Sequence, residues 1–208
     1  MKGKCFLCNK TFSKSGMTKH LKKHLKNDGD ARLYHLMVDG LYRPEYWLHI
    51  EIKADAKLKD LDKFLRNVWL ECCGHLSAFE IDGVEYHSMP EGEKGMNYRL
   101  GRVLSVGMEF YHIYDFGTST ELRLKVAGER MGRTEKKVRI LARNNPPDIR
   151  CECGEKAKWI CTECFVEMEN CYFCEECAKE HECGEEMLLP VVNSPRCGVC
   201  GYEGGKYD

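Results

Sequence analysis

The chain has 208 residues, 14 of them cysteine, with 31% charged residues and a formal net charge of −1. It is long enough to bury a core of its own, but its apolar runs are too short to cross a bilayer: Met187-Leu188-Leu189-Pro190-Val191-Val192 stops far short of the roughly 20 residues a spanning helix needs. Met1-Lys2-Gly3-Lys4-Cys5 opens no apolar leader, so the cysteines are expected to hold metal in an intracellular, cytoplasmic setting rather than to form a secreted disulfide scaffold.

The near-neutral total conceals opposite ends. Residues 1–27 carry eight lysines and no acid, whereas residues 151–208 carry five Lys or Arg against thirteen Asp or Glu. A lysine-only segment attracts phosphate polymers and an acidic one repels them, so only the amino end suits nucleic acid. Plainer readings of such charge runs are a solvated helix face or attraction between the two ends. Asn27-Asp28-Gly29-Asp30 and Asn144-Asn145-Pro146-Pro147-Asp148 are polar, turn-rich breaks that divide the chain into segments 1–27, 31–145 and 150–208.

The first segment reads Cys5-x2-Cys8-x11-His20-x3-His24. Two histidines at i and i+4 share one helical face and can meet a metal held by a cysteine knuckle, with Phe12, Met17 and Leu21 as a small apolar core. The segment resembles the Cys2His2 zinc-finger family, departing from it in an 11-residue loop where 12 is usual. Counted back from His20, the positions that face bases in that family fall near Ser13 or Lys14, at Gly16 and at Lys19, and Gly16 offers no side chain. Lys14, Lys19, Lys22, Lys23 and Lys26 are therefore expected to meet phosphates without reading sequence.

In the middle segment, residues 33–38 and 46–52 are rich in β-branched and aromatic residues and predict strands around Arg43-Pro44. Leu58, Leu61, Phe64, Leu65 and Val68 recur at helical spacing, with Asp55 as the expected N-cap. Further strands are expected at 76–81 and 84–87 around Asp82-Gly83, and at 109–114, 120–127 and 137–142. The fold class that follows is α+β: a largely antiparallel central sheet covered by a helix, flanked by two small zinc-stabilised modules. Cys72-Cys73-Gly74-His75 follows the helix. Adjacent side chains of an extended segment point apart, so this stretch is read as packing rather than as a metal clip or a nucleophile with its base.

The last segment pairs Cys151 with Cys153, Cys161 with Cys164, Cys174 with Cys177 and His181 with Cys183. Four pairs predict two ions, making about three Zn²⁺ for the chain. The spacing is similar to B-box-like and other treble-clef-derived modules, whose interleaving implies Cys151, Cys153, Cys174 and Cys177 on one ion and Cys161, Cys164, His181 and Cys183 on the other. A sequential arrangement, with Cys151, Cys153, Cys161 and Cys164 together, is the alternative. Cys171, Cys197 and Cys200 are surplus; Cys197-x2-Cys200 has ligand spacing and could join Cys171 at a further ion.

The central residues carry a second resemblance. Leu36-x-Val38, Pro44-Glu45-Tyr46-Trp47, His75-Leu76-Ser77-Ala78-Phe79-Glu80-Ile81-x-Gly83-x2-Tyr86 and Tyr111-x2-Tyr114-Asp115-Phe116-Gly117 look like the plasmid pRiA4b ORF-three-like family, also met as insertion-element passengers. The tail strings Leu189-Pro190-Val191-Val192-Asn193-Ser194-Pro195-Arg196 and Gly201-Tyr202 are similar to tails in the same family. The resemblance implies an α+β domain associated with plasmids and mobile elements. Where that family tends to carry Trp-Arg-Arg and Phe-Gly-Asp-x-Trp-x-His, this chain has Trp47-Leu48-His49 and Phe116-Gly117-Thr118-Ser119-Thr120. That leaves Asp115, His112 and His49 as isolated polar candidates and weighs against an enzyme. Three function classes follow: a nucleic-acid-binding accessory protein acting through residues 1–27, a protein-interaction adaptor acting through residues 150–208, and an enzyme with an unfamiliar site on the central domain.

Overall fold

A computed structural model describes residues 1–167 and 169–207. It falls into two units, Met1–Leu65 with Leu76–Asn145, and Arg66–His75 with Pro146–Asp208. This partition differs from the sequence division at two points: residues 1–27 belong with the central segment, and residues 66–75 belong with the cysteine-rich carboxy end.

The first unit contains β1 (Lys2–Cys5), β2 (Thr11–Ser13), α1 (Lys14–Leu21), β3 (Ala31–Gly40), β4 (Trp47–Lys53), α2 (Leu58–Leu65), β5 (Ser77–Ile81), β6 (Val84–His87), β7 (Lys94–Gly95), α3 (Leu100–Val103), β8 (Glu109–Tyr114), β9 (Thr120–Gly132) and β10 (Val138–Asn144). The ten strands form one sheet in the order β2-β1-β10-β4-β3-β9-β8-β5-β6-β7, antiparallel except for the β6–β7 pair. Asp82 (φ 52°) and Gly83 (φ 71°) close the β5–β6 hairpin, two positive φ values in succession as the favoured two-residue turn requires. The π-helical turn Arg66–Leu70, which opens the second unit, buries Val68, Trp69 and Leu70 in succession. Asp55 does not cap α2; the Asp60 carboxylate instead accepts the Lys57 N–H at 2.9 Å.

The amino-terminal finger is continuous with this sheet. β1 pairs with β10 in the register Gly3 to Asn144 and Cys5 to Ala142, and Cys5, Met17 and Leu21 share a buried cluster with Trp47, Leu141 and Ala142. The Asn27–Asp30 break is also held: Asp28 N–H donates to Met131 O at 3.0 Å, and Arg130 Nη1 reaches Lys26 O at 2.6 Å and Asp28 Oδ1 at 2.7 Å.

In the second unit, β11 (Trp159–Cys161), α4 (Thr162–Val166), β12 (Tyr172–Phe173), α5 (Glu175–Lys179), a 3₁₀ turn (Glu185–Met187) and β13 (Leu188–Pro190) follow one another, and the strands lie in the order β12-β11-β13. One of its buried clusters gathers Ile160, Cys161, Cys164, Cys171 and Cys197, and Val68, Trp69, Leu70 and Tyr202 of the same unit are also fully buried.

Candidate metal centres

Four groups of cysteine and histidine converge among the described residues, each with its ligand atoms within 4.8 Å of one another: Cys5, Cys8, His20 and His24; Cys151, Cys153, Cys174 and Cys177; Cys161, Cys164, His181 and Cys183; and Cys72, Cys73, His75 and Cys200. No cysteine among them is in a disulfide.

The first centre is built by local geometry. Asn9, with φ of 60°, turns the chain after Cys8, and Cys5 N–H donates to Lys10 O while Asn9 N–H donates to Cys5 O. Both thiols of the knuckle therefore face α1. Ser13 caps that helix, its hydroxyl accepting the Gly16 N–H, and one helical turn brings His20 and His24 onto a common side. His20 Nε2 lies 3.1 Å from Cys8 Sγ and 3.0 Å from His24 Nε2, and the His20 ring stacks on Phe12.

In the second unit the two centres interleave. α5 begins at Cys174, whose sulfur accepts the Cys177 N–H at 3.5 Å, and Cys153 Sγ lies 3.7 Å from Cys174 Sγ. Cys164 Sγ, on α4, lies 3.5 Å from His181 Nε2 and 3.8 Å from Cys183 Sγ. The sequential grouping is not what the chain adopts.

The separations in the second unit match a tetrahedral ion, and those of the first centre are a few tenths of an ångström shorter. With metal–sulfur bonds of about 2.3 Å and metal–nitrogen bonds of about 2.0–2.1 Å, the edges of the tetrahedron measure about 3.8 Å between sulfurs, about 3.6 Å from sulfur to nitrogen and about 3.3 Å between nitrogens. A disulfide would need about 2.05 Å. The thiols are not equal: Cys73 and Cys177 are pushed up to about 12 by neighbouring sulfurs, and Cys164 reaches about 12 through burial first and its sulfur neighbours second, whereas backbone N–H groups pull Cys174 down and Cys151 down to about 7. A divalent cation would hold all of them as thiolates, because a metal-bound thiol is deprotonated.

Sequence reasoning missed the fourth group. The chain is not extended at Cys72-Cys73: Gly74 has φ of 85°, its N–H donates to Glu71 Oε1 at 2.7 Å, and the bend brings Cys72 Sγ and Cys73 Sγ to 3.6 Å. Cys200 joins them, while its spacing partner Cys197 does not. Cys197 is fully buried, accepts the Val192 N–H at 3.5 Å and packs with Cys171 in the apolar centre.

The lysines expected to meet phosphate divide. Lys14 is paired with the sheet, its Nζ 3.4 Å from Asp39 Oδ2 and donating to Pro44 O at 3.4 Å. Thr18, one turn on, donates to Met37 Sδ at 3.8 Å. Lys19, Lys22, Lys23 and Lys26 are exposed.

The isolated polar candidates have structural partners. His112 donates from Nε2 to Asp62 Oδ1 at 2.8 Å, and Ser77 Oγ donates to the same oxygen at 2.7 Å. Ser77 and His112 are 0% exposed and Asp62 is 6% exposed, and Ser77 bonds to the acid rather than to the imidazole. The group thus has the residue types of a hydrolase triad without its order or its access. Asp115 accepts the Gly117 and Thr118 N–H groups in a turn. His49 Nδ1 lies 2.9 Å from His35 Nε2, and burial pulls His35 down to about 4 and His49 to about 3.

No protein-family profile matches the chain, and no curated protein does. One solved structure similar to it is a protein of unknown function, MM3350, from Methanosarcina mazei Go1, with 18% identity over 54% of this chain and 68% of that one and a TM-score of 0.47.

Proposed function

We propose that this chain is a zinc-organised accessory protein that contacts nucleic acid through the lysine surface of residues 1–27. The observation that carries the reading is electrostatic. Of the eight lysines in this acid-free segment, only Lys14 makes a salt bridge among the described residues, and the other seven are exposed. Seven uncompensated cations on a segment with no acid favour a polyanion, and a phosphate backbone supplies one charge at each step.

Zinc is the ion of choice because tetrahedral sets of two cysteines with two histidines, of four cysteines, and of three cysteines with one histidine match its structural sites, and four protein ligands leave no position for a reacting water. Reduced thiols in such number suit an intracellular setting. The resemblance to the plasmid pRiA4b ORF-three-like family supports a mobile-element association. Contact is non-specific in this reading, since Gly16 reads no base and one finger spans only about three base pairs.

The test is fluorescence anisotropy with duplex DNA and single-stranded RNA across a salt series. Modest affinity with a log–log slope near −3 to −4 is expected from four phosphate contacts. No binding at micromolar protein and about 50 mM salt would favour a protein partner instead. That second reading draws on the thirteen acids of residues 151–208 and on Val166, 77% exposed at the end of α4.

A further inference from the structure

The fourth cysteine–histidine group differs from the other three in having ligands drawn from the two sequence segments of the second unit. Cys200 Sγ lies 3.8 Å from Cys73 Sγ and 3.6 Å from His75 Nε2, across separations of 127 and 125 residues. Cys73 Sγ lies 3.0 Å from His75 Nε2 and 3.6 Å from Cys72 Sγ. Three sulfurs and one nitrogen thus occupy the corners of a small tetrahedron.

Two independent observations indicate that the arrangement is built. Four non-glycine residues among those described have φ between 52° and 65°, namely Asn9, Asp82, Asp115 and Cys200. Asn and Asp tolerate the left-handed region through local hydrogen bonds, but a cysteine there is held against its preference, and backbone strain of this kind gathers at ligand sites. The second observation lies behind the ligands: Arg196 is fully buried, and its Nη2 donates to Cys72 Sγ at 3.5 Å, the outer hydrogen bond that orients a metal-bound thiolate.

The carboxy-terminal tail already lies along the 66–75 segment. Trp69 Nε1 donates to Asn193 O at 3.0 Å, Ser194 Oγ donates to Trp69 O at 2.7 Å, and Lys206 N–H donates to Asn67 O at 2.8 Å. Gly205 passes so close that a Cβ there would overlap the Val68 carbonyl. A cation at Cys72, Cys73, His75 and Cys200 would cross-link these two stretches at one end of their contact.

We propose that Cys72, Cys73, His75 and Cys200 bind a fourth Zn²⁺ that fastens the carboxy-terminal tail to the 66–75 segment. The site does not depend on nucleic-acid binding. Because Cys73 and Cys200 are exposed, it is also the centre most open to chelators and exchanges its ion first.

Native mass spectrometry of the full chain, purified under reducing conditions, tests this. Wild type carries four zinc ions. Cys200→Ser and His75→Ala each carry three, with hydrogen exchange over residues 193–206 accelerated at least tenfold and exchange over β3 and β4 unchanged. Cys197→Ala, which alters a buried cysteine outside the group, keeps four. A zinc count that neither ligand variant lowers overturns the proposal, as does a Cys73–Cys200 disulfide seen as a mass loss of two hydrogens, or iron with labile sulfide in place of zinc. Loss of one ion with the tail's exchange unaltered sustains the site and overturns its fastening role.

Discussion

Gly3 lies directly beneath the indole of Trp47, and a Cβ at position 3 would overlap both that ring and the Arg143 carbonyl. The first strand of the finger can pair with β10 only because this residue has no side chain. Trp47 in turn shares its buried cluster with Cys5, Met17 and Leu21, so the closeness of glycine and indole also sets the position of the metal knuckle. Gly3→Ala should destabilise the first unit by about 1–3 kcal/mol, the usual cost of overpacking. It should also speed zinc loss from the finger to a competing chelator. Urea midpoints and chelator kinetics measure the two effects; an unchanged midpoint would show that the strand and sheet do not pack as described.

The lysines can be separated by what they touch. Lys14→Ala removes a partly exposed pair with Asp39, which keeps Arg123 as a partner at 2.8 Å, so the cost should be about 1 kcal/mol or less and the salt slope of nucleic-acid binding should not move. Lys19→Ala with Lys23→Ala should flatten that slope by up to about 2 and leave zinc content unchanged, as neither is a ligand. If Lys14→Ala flattened the slope as much as the double variant, the division would fail.

The His35–His49 pair should make stability sensitive to acid. Both are held neutral by burial, at about 4 and about 3, against an ordinary value of 6.5. Below 6.5 the unfolded chain therefore binds more protons than the folded one, and stability is lost as pH falls. Between about pH 6 and 4 the two groups together should cost roughly 2–3 kcal/mol per pH unit. His49→Asn, whose side chain can mimic Nδ1 without titrating, should roughly halve that slope in urea unfolding followed through tryptophan fluorescence. A variant slope equal to wild type would contradict the assignment.

Chelation should act unequally on the two units. In the second, the buried cluster of Ile160, Cys171 and Cys197 includes Cys161 and Cys164 of a candidate metal centre, so removing zinc should unfold it, since ion binding supplies on the order of 10–16 kcal/mol in small metal-dependent modules. In the first, only β1, β2 and α1 should lose hydrogen-exchange protection, while β3, β4, β8 and β9 keep theirs. Collapse of those four strands on chelation would show the sheet to be metal-dependent throughout.

The three centres legible in the sequence share a property: their ligands come in pairs with one to three residues between them, and a knuckle or helical turn places each pair without help from the rest of the fold. The fourth escaped because Cys200 lies 127 residues from Cys73, and because reading Cys72-Cys73 as extended ignored the bend at Gly74. The Cys197-x2-Cys200 spacing misled for a related reason, since Cys197 follows the apolar centre and Cys200 the metal group. Lys14 looked like its neighbours until tertiary pairing with Asp39 distinguished it. In the sheet, strands with strong β-branched or aromatic patterning were readable. β7 and α3 were not, being two and four residues long in a stretch without clear periodicity.

β10 lies between β1 and β4, and that position defines what the finger does for the rest of the chain. Without residues 1–13, the backbone groups of Ala142–Asn144 that now pair with β1 would form an open sheet edge beside an uncovered indole. Natural proteins blunt such edges because they recruit strands from other molecules. The amino-terminal segment thus acts as an edge guard: a shortened chain that begins after it should self-associate, even where every remaining residue keeps its fold.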